Sequence, residues 1–406
     1  MTQTIAILGR QPALGLAELE SLYGSSRISP IGQQACLIDL DPDQIAFSRL
    51  GGTVKLAKLL TILDTTNWAE IEKYLLQTVA EHAKYLPAGK MNLGLSLYDL
   101  GMKPPRISAT GLELKKVIKA TGRSVRVIPN KTPELSSAQV LHNHLTGERA
   151  WELLFIRHGN QTYLAQTTEV QDITAYSARD QARPKRDARV GMLPPKLAQI
   201  IINLALGPLE VSSEFIAHSS LLTAPHNTVV LDPFCGTGVI LQEALLMGMR
   251  AYGSDIELRM IEYSQTNLDW LAKSYRVPRT SYRLESGDAT AHLWQAFDTI
   301  ACETYLGRPF SALPKPEILR EVMQDVDLIH KKFLKNVARQ TKSGFRMCMA
   351  IPAWNTKFGF THLKILDNLG DLGYTRLVFK WASSSDLIYH REGQIVGREL
   401  VVLVRQ

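Results

Sequence analysis

Cysteine is scarce in this chain of 406 residues: Cys36, Cys235, Cys302 and Cys348 stand far apart, with no C-x-x-C pair and no His cluster at metal-ligand spacing. Neither a disulfide framework nor a metal site is expected. Long apolar runs are missing too. Apolar-rich stretches such as residues 198–206 stop well short of the ~20 residues that cross a bilayer, and the opening MTQTIAILGR lacks a basic start before an apolar stretch. These absences predict a cytoplasmic protein with no membrane association. The composition, 45% hydrophobic and 21% charged with 27 Gly and 19 Pro, excludes a disordered, collagen-like or coiled-coil chain. At roughly 100 to 200 residues per domain, the length predicts two or three domains.

The net charge of +7 is concentrated in two places. Residues 81–130 carry nine basic side chains (Lys84, Lys90, Lys103, Arg106, Lys115, Lys116, Lys119, Arg123, Arg126) against Glu81, Asp99 and Glu113. Residues 176–200 carry six (Arg179, Arg183, Lys185, Arg186, Arg189, Lys196) against Asp180 and Asp187, so the remainder of the chain is slightly acidic. Such clustering is the footprint of a polyanion binder, because each phosphate contact releases counterions. A solvated basic surface is the plainer alternative.

The first 60 residues read as strand, helix, strand, helix, strand: TIAIL, Leu14 to Leu22, ACLIDL, Pro42 to Leu50, TVKLAKLL. Trp68 to Tyr85 has an amphipathic helical pattern, NLGLSLYDL alternates like a strand, Leu112 to Ala120 is helical, SVRVI is a strand, and Ser136 to Leu145 is a helix that serines can cap. WELLFIRHGN and QTYLAQTTEV flank a Gly-Asn turn, a hairpin signal. Residues 172–195, polar, Arg-rich and holding three prolines, read as a linker. From residue 228 buried strands alternate with helices, which predicts a doubly wound sheet closed by a hairpin near Glu392-Gly393. His390 and Arg391 at that turn are candidates for RNA contact, while Trp294 and Trp354 near strand ends read as core.

The most informative segment is VVLDPFCGTG, residues 229–238: a strand ending in Asp232, a Gly236-x-Gly238 turn, then a helix. Glycines admit a ligand close to the backbone, and the helix start offers free N–H groups. A dinucleotide fingerprint would place a third glycine at 241, where Leu241 stands, so NAD is disfavoured. A second strand ends at Asp255, suited to ribose hydroxyls, and a third at Gly287-Asp288-Ala289, suited to an adenine amine. Acids at three strand ends around one glycine turn, with no phosphate-binding Lys, suit a nucleoside without phosphates, such as S-adenosylmethionine. Helix or turn capping by Asp255 and Asp288 is the alternative. Cys235 reads as a packing residue within the turn.

DPFCGTG, the upstream RDQARPKRDARVGMLPPKLAQIIINLA and the opening ILGRQPALGLAELESLYG resemble the archaeal-type tRNA guanosine-10 N2-methyltransferases and their eukaryotic relatives, across nearly the whole chain. The resemblance implies an N-terminal mixed α/β, ferredoxin-like and THUMP RNA-binding region over 1–168, an Arg-rich linker over 169–190 and a Rossmann-like class I methyltransferase domain over 191–406. It implies S-adenosylmethionine held by Asp232, Phe234, Gly236, Gly238, Asp255, Ile256, Asp288 and Ala289. It also implies tRNA gripped by Lys115, Lys116, Lys119, Arg123, Arg126, Arg183 and Arg186. Eukaryotic relatives use a small activating protein, which leaves such a partner open here.

The sequence departs from the family at the fourth strand. The family's amine-methylating motif is Asp or Asn, Pro, Pro, Tyr or Phe, whereas this chain has Cys302-Glu303-Thr304-Tyr305. Aligning on Tyr305 puts Cys302 where the carboxylate or amide belongs, and a carboxylate stands one place later as Glu303. The catalytic candidates are therefore Glu303 as acceptor of the amine's hydrogen bonds, Tyr305 as the stacking ring, and Cys302. The expected reaction is formation of N2-methylguanosine in tRNA, at position ten. A DNA amine methyltransferase and a tRNA-binding protein with weak or lost methyl transfer are the alternatives.

Overall fold

A computed structural model describes residues 2–187, 192–208, 227–310 and 312–406. Arg189, one of the expected linker arginines, and the expected boundary at 190/191 lie outside the described residues. In chain order the first half runs β1 (Thr4–Leu8), α1 (Pro12–Tyr23), β2 (Ile28–Ile31), β3 (Ala35–Ile38), β4 (Thr53–Leu63), α2 (Trp68–Ala83), β5 (Met91–Tyr98), α3 (Pro104–Ala120), β6 (Val125–Val127), α4 (Ser137–His142), β7 (Ala150–His158) and β8 (Gln161–Val170). It continues with α5 (Ile173–Gln181) and α6 (Pro195–Leu206). The second half runs β9 (Val229–Asp232), α7 (Val239–Leu246), β10 (Arg250–Asp255), α8 (Leu258–Tyr275), β11 (Tyr282–Ser286), β12 (Thr299–Glu303), α9 (Pro316–Gln340), β13 (Arg346–Thr356), β14 (Gly359–Thr361), β15 (Tyr374–Arg376), β16 (Ile388–Tyr389) and β17 (Val396–Arg405).

Among the described residues the strands form two sheets. The first is eight-stranded, ordered β2-β3-β1-β4-β8-β7-β5-β6. Its centre is the long β4/β8 antiparallel pair beside the β7/β8 hairpin that the Gly-Asn turn predicts. Helix α2 shows why this half folds: Asn67 caps it by accepting the Ala69 amide at 3.0 Å, and Trp68, Ile71, Leu75 and Val79 recur at helical spacing. That stripe is buried with Leu93, Leu95 and Phe155 of the sheet, each large side chain contributing about 1.5–3 kcal/mol on leaving water. Buried inside the same sheet, the Lys55 ammonium is paired with the Glu152 carboxylate. Ser96 donates to Glu152 Oε1 at 2.6 Å, Thr167 to Oε2 at 2.7 Å, and Lys55 also donates to the Leu135 carbonyl at 2.8 Å.

The second sheet has the order β11-β10-β9-β12-β13-β17-β15, with β14 and β16 attached at β13 and β17. Strands β11 through β13 pair in parallel and β17 and β15 antiparallel. Parallel central strands covered on both faces read as apolar runs, as residues 229–231 and 299–302 do. Among the described residues, no helix is long and apolar enough to cross a membrane.

Four sequence expectations change. Residues 42–50 make two short 3-10 turns in place of a helix. Strand β2 adds to the expected strands, since Ser29 and Pro30 interrupt its apolar pattern, and Leu112 to Ala120 is the end of a longer helix opened by Pro104. The reading of 172–195 as plain linker is corrected by α5: Asp172 caps it, accepting the Thr174 and Ala175 amides at 3.0 and 2.9 Å. This helix has no buried face, so no apolar period announced it.

The halves are joined by packing as well as by chain. Helix α1 lies on α6, with Leu14 and Ala17 in the cluster that holds Ile201, Ile202 and Ala350. The buried Glu18 carboxylate accepts the Gly51 and Gly52 amides at 2.9 and 2.8 Å and the Asn203 side-chain amide at 2.8 Å. Arg49 donates to Asn203 Oδ1, Arg346 to Ser21, and the Lys380 and Trp381 amides to Glu20.

Candidate functional site

The carboxyl edge of the second sheet gathers the acids that the sequence singled out. Register explains how. Asp232 pairs with Gly253, which lies two residues before Asp255 on the same face of β10. The β9/β12 register, Ile300 opposite Leu231, places Glu303 two residues beyond the partner of Asp232, again on that face. Glu303 stands opposite Ala350, and Pro352, two residues further along β13, stands opposite Arg398 of β17. Asp232, Asp255, Glu303 and Arg398 therefore share one face at one edge of the sheet.

The glycine turn begins at once after Asp232. Gly236 and Gly238 have φ of 50° and 84°, the left-handed region that favours glycine. A Cβ on Gly238 would also lie 2.9 Å from the Ser264 hydroxyl. Asp255 fixes the turn from the next strand, its Oδ2 accepting the Gly236 amide at 2.9 Å and its Oδ1 the Glu257 amide at 2.9 Å. Leu241, at the place of a dinucleotide fingerprint's third glycine, is accommodated by Gly253 of β10, whose Cβ would come 2.5 Å from the leucine. The close approach of helix and strand is thus made by the strand's glycine. Cys235 is buried in this contact, a packing residue as expected, and burial pushes its thiol far up.

Burial sets the electrostatics. Asp232 is held well above the ordinary carboxyl range, because leaving water outweighs the Phe234 amide on Oδ1 and because Asp255 and Glu303 add negative charge. The Asp255 carboxyl is raised by burial as well. A buried carboxylate with one amide partner fits an ammonium group, and a left-handed turn that a side chain would obstruct fits close approach of a ligand. These residues therefore suit the amino-acid end of the expected cofactor. Ile256 and Asp288 are exposed beyond the edge, Asp288 accepting the Thr290 amide at 2.8 Å. Ala289 is buried among Trp294 and Phe333, and half-buried Phe234 meets Phe333 edge-on at 5.0 Å. Trp294 and Trp354 are core residues, as expected.

On the acceptor side the three candidates separate. Tyr305 is 46% exposed. Glu303 is the last residue of β12 and forms an ion pair with Arg398; burial raises its carboxyl and the guanidinium pulls it back. Cys302 points to the opposite face, fully buried with Met349, Ile351 and Phe333, and burial drives its thiol far up. This corrects its candidacy as a catalytic group: a residue one place earlier in a strand faces the other side of the sheet.

The basic residues divide in the same way. Lys116, Lys119 and Arg126 are exposed and Lys115 partly so. The α3 lysines line a shallow cavity of about 360 Å³ with Leu112 and Glu113. Arg123 instead donates to the Leu86 and Pro87 carbonyls at 2.8 and 2.9 Å, tying α2's end to the loop before β6. Arg183 is buried, which corrects its assignment to an RNA-facing linker: it pairs with Asp180 and donates to the Thr237 hydroxyl of the glycine turn at 3.3 Å. Arg186 is exposed and contacts Met192. Asn267 of α8, missed at the sequence level, completes this brace by donating to the Thr237 and Lys185 carbonyls at 2.8 and 2.9 Å. Nothing local marks a mid-helix asparagine for that role.

A methyltransferase-domain family matches residues 225–370. The tRNA (guanine(10)-N2)-dimethyltransferase of Methanothermobacter thermautotrophicus is 29% identical over 176 residues, 43% of each chain. The enzyme of the same name from Pyrococcus abyssi is 29% identical over 182 residues, 44% of this chain and 43% of its own. The matched region thus spans less than half the length of these relatives. Among solved structures, TrmN from Thermus thermophilus aligns over 100% of both chains with a TM-score of 0.51 at 16% identity. SMU.472, a putative methyltransferase complexed with SAH, aligns over 100% of this chain and 98% of its own with a TM-score of 0.50 at 12% identity. Together with the strand order, these likenesses give the second sheet the fold of the class I, Rossmann-like methyltransferases.

Proposed function

We propose that this chain is an S-adenosylmethionine-dependent tRNA methyltransferase that forms N2-methylguanosine, at position ten of tRNA. The observation that carries the reading is the convergence of Asp232, Asp255 and Glu303 on one face of the sheet edge around the Gly236–Gly238 turn. The names of the curated relatives support tRNA as the substrate, and a DNA amine methyltransferase is correspondingly disfavoured.

Asp232, Phe234, Gly236 and Gly238 would hold the cofactor's amino-acid end, Asp255 and Ile256 its ribose, and Asp288 with Ala289 its adenine. When bound, the cofactor supplies a methyl group activated by its sulfonium sulfur. The guanine 2-amine is a weak nucleophile because its lone pair is delocalised into the ring. Glu303 would accept a hydrogen bond from that amine, which localises its lone pair toward the methyl donor, and would take up the proton that the methylated amine gives off. Tyr305 offers a face on which the flipped base stacks. The first half, with the THUMP character implied by the family resemblance, docks the tRNA through the α3 lysines and Arg126, and residues 169–190 connect it to the domain from 191. Nucleoside mass spectrometry of tRNA incubated with the protein and labelled cofactor tests the reading. Label in N2-methylguanosine is expected, and a folded, cofactor-binding protein that labels no tRNA would refute it.

A further inference from the structure

We propose that Arg398 is the positioning residue of the acceptor edge: it clamps one oxygen of Glu303 and leaves the other as a fixed, ionised acceptor for the substrate amine. This rests on the functional reading above and adds to it a residue that no motif contains.

Glu303 and Arg398 are separated by β13, and the residues beneath them on the shared face are Ala350 and Pro352. Neither is large enough to stand between an arginine and a carboxylate on the neighbouring strands. Arg398 Nε donates to Glu303 Oε1. Among the described residues none donates to Oε2. The side chains are only 7% and 15% exposed, so both are held by packing while the carboxylate keeps an opening to solvent.

The charges around the pair favour the same role. Asp232 faces Glu303 from β9, with Asp255 behind it on β10, and both are acids; Arg398 is the guanidinium that answers them from β17, where Tyr389 of β16 lies in register with it. A buried carboxylate among acids would take up a proton and become a poor acceptor. An arginine, which never loses its charge under these conditions and presents a rigid fork, holds both the ionisation and the orientation. The altered motif is thereby explained in part. Without the family's Asp or Asn, the acceptor comes from the strand's last residue and its orientation from a partner 95 positions away.

The test compares Arg398→Met and Arg398→Lys with the wild type in single-turnover methyl transfer to tRNA across pH 5 to 9. Arg398→Met is expected to move the acid limb of the profile upward by about one pH unit or more, because the unneutralised carboxyl protonates more readily. Arg398→Lys, which keeps charge but loses the fork, should leave the limb near its wild-type place while slowing transfer about tenfold. Melting temperature against pH gives a readout independent of turnover. With its folded-state affinity for a proton raised further, Glu303 in Arg398→Met lowers stability as pH rises from the unfolded carboxyl range toward neutrality, and adding Glu303→Gln abolishes that extra slope. An active wild type whose acid limb does not move in Arg398→Met, or a slope that survives in the double variant, overturns the proposal and leaves the functional reading intact. A wild type that binds cofactor but transfers no methyl at any pH overturns the reading, and the proposal with it.

Discussion

Two buried ion pairs, one in each sheet, show how differently the same chemistry can be used. Lys55 and Glu152 lie in the interior of the first sheet, and both oxygens of Glu152 have donors: Lys55 and Ser96 on one, Thr167 on the other. Glu303 and Arg398 lie at the edge of the second, and only one carboxylate oxygen has a donor among the described residues. A closed pair can do nothing but hold strands in place. A half-closed pair at the edge where doubly wound folds bind ligands keeps bonding capacity for a substrate.

The contrast can be broken at its structural end first. Lys55→Met leaves Glu152 as an uncompensated buried charge and should cost about 3–5 kcal/mol of stability, read as a large drop in denaturation midpoint. Cofactor binding per folded molecule should be unchanged. A loss under about 1 kcal/mol would mean that the closed pair adds little beyond its neighbouring hydroxyls.

The functional end comes next. Glu303→Gln keeps shape and removes charge, and turnover should fall by about 10²-fold while cofactor and tRNA affinities stay within a few fold. Cys302→Ser, on the opposite face, should lower turnover by less than about tenfold. If the two effects exchange places in a single-turnover assay, the Tyr305-anchored alignment gives the true acceptor after all.

The smallest effect expected is on the first half's surface. Lys116→Ala with Lys119→Ala should lower the dependence of log affinity for tRNA on log salt by one to two units, since each phosphate contact contributes about 0.7 to 0.9. Arg123→Ala should act mainly on stability, because that guanidinium is spent on two backbone carbonyls. An unaltered salt slope in the lysine variant would reduce the α3 ridge to a solvated face.

What could be read beforehand follows a physical division. The glycine turn, the acids that end β9 and β10 and the one just after β11 are local patterns, a few residues each, and their spacing carries their meaning. The strands of the parallel core announced themselves through unbroken apolar runs. Helix α5 did not, because a helix without a buried face has no hydrophobic period to display. Arg183 and Arg398 were beyond reach for another reason: an arginine's charge is visible in a sequence, but its partner, Thr237 or Glu303, is fixed only when distant strands and helices come into register. Charge counting therefore points to RNA for a guanidinium that in fact braces the glycine turn.

The seam between the halves has a consequence for substrate choice. Glu18 binds backbone amides of its own half and an asparagine of α6, Arg346 reaches back to Ser21, and Glu20 receives the Lys380 and Trp381 amides. Joined at so many points, the α3 ridge and the Glu303 edge behave as the two jaws of a caliper locked at one opening. On the proposed function, the nucleotide that is modified is then chosen by measurement: it is the one lying at that fixed span from the docked part of the tRNA, and the RNA must supply whatever bending or base extrusion closes the gap.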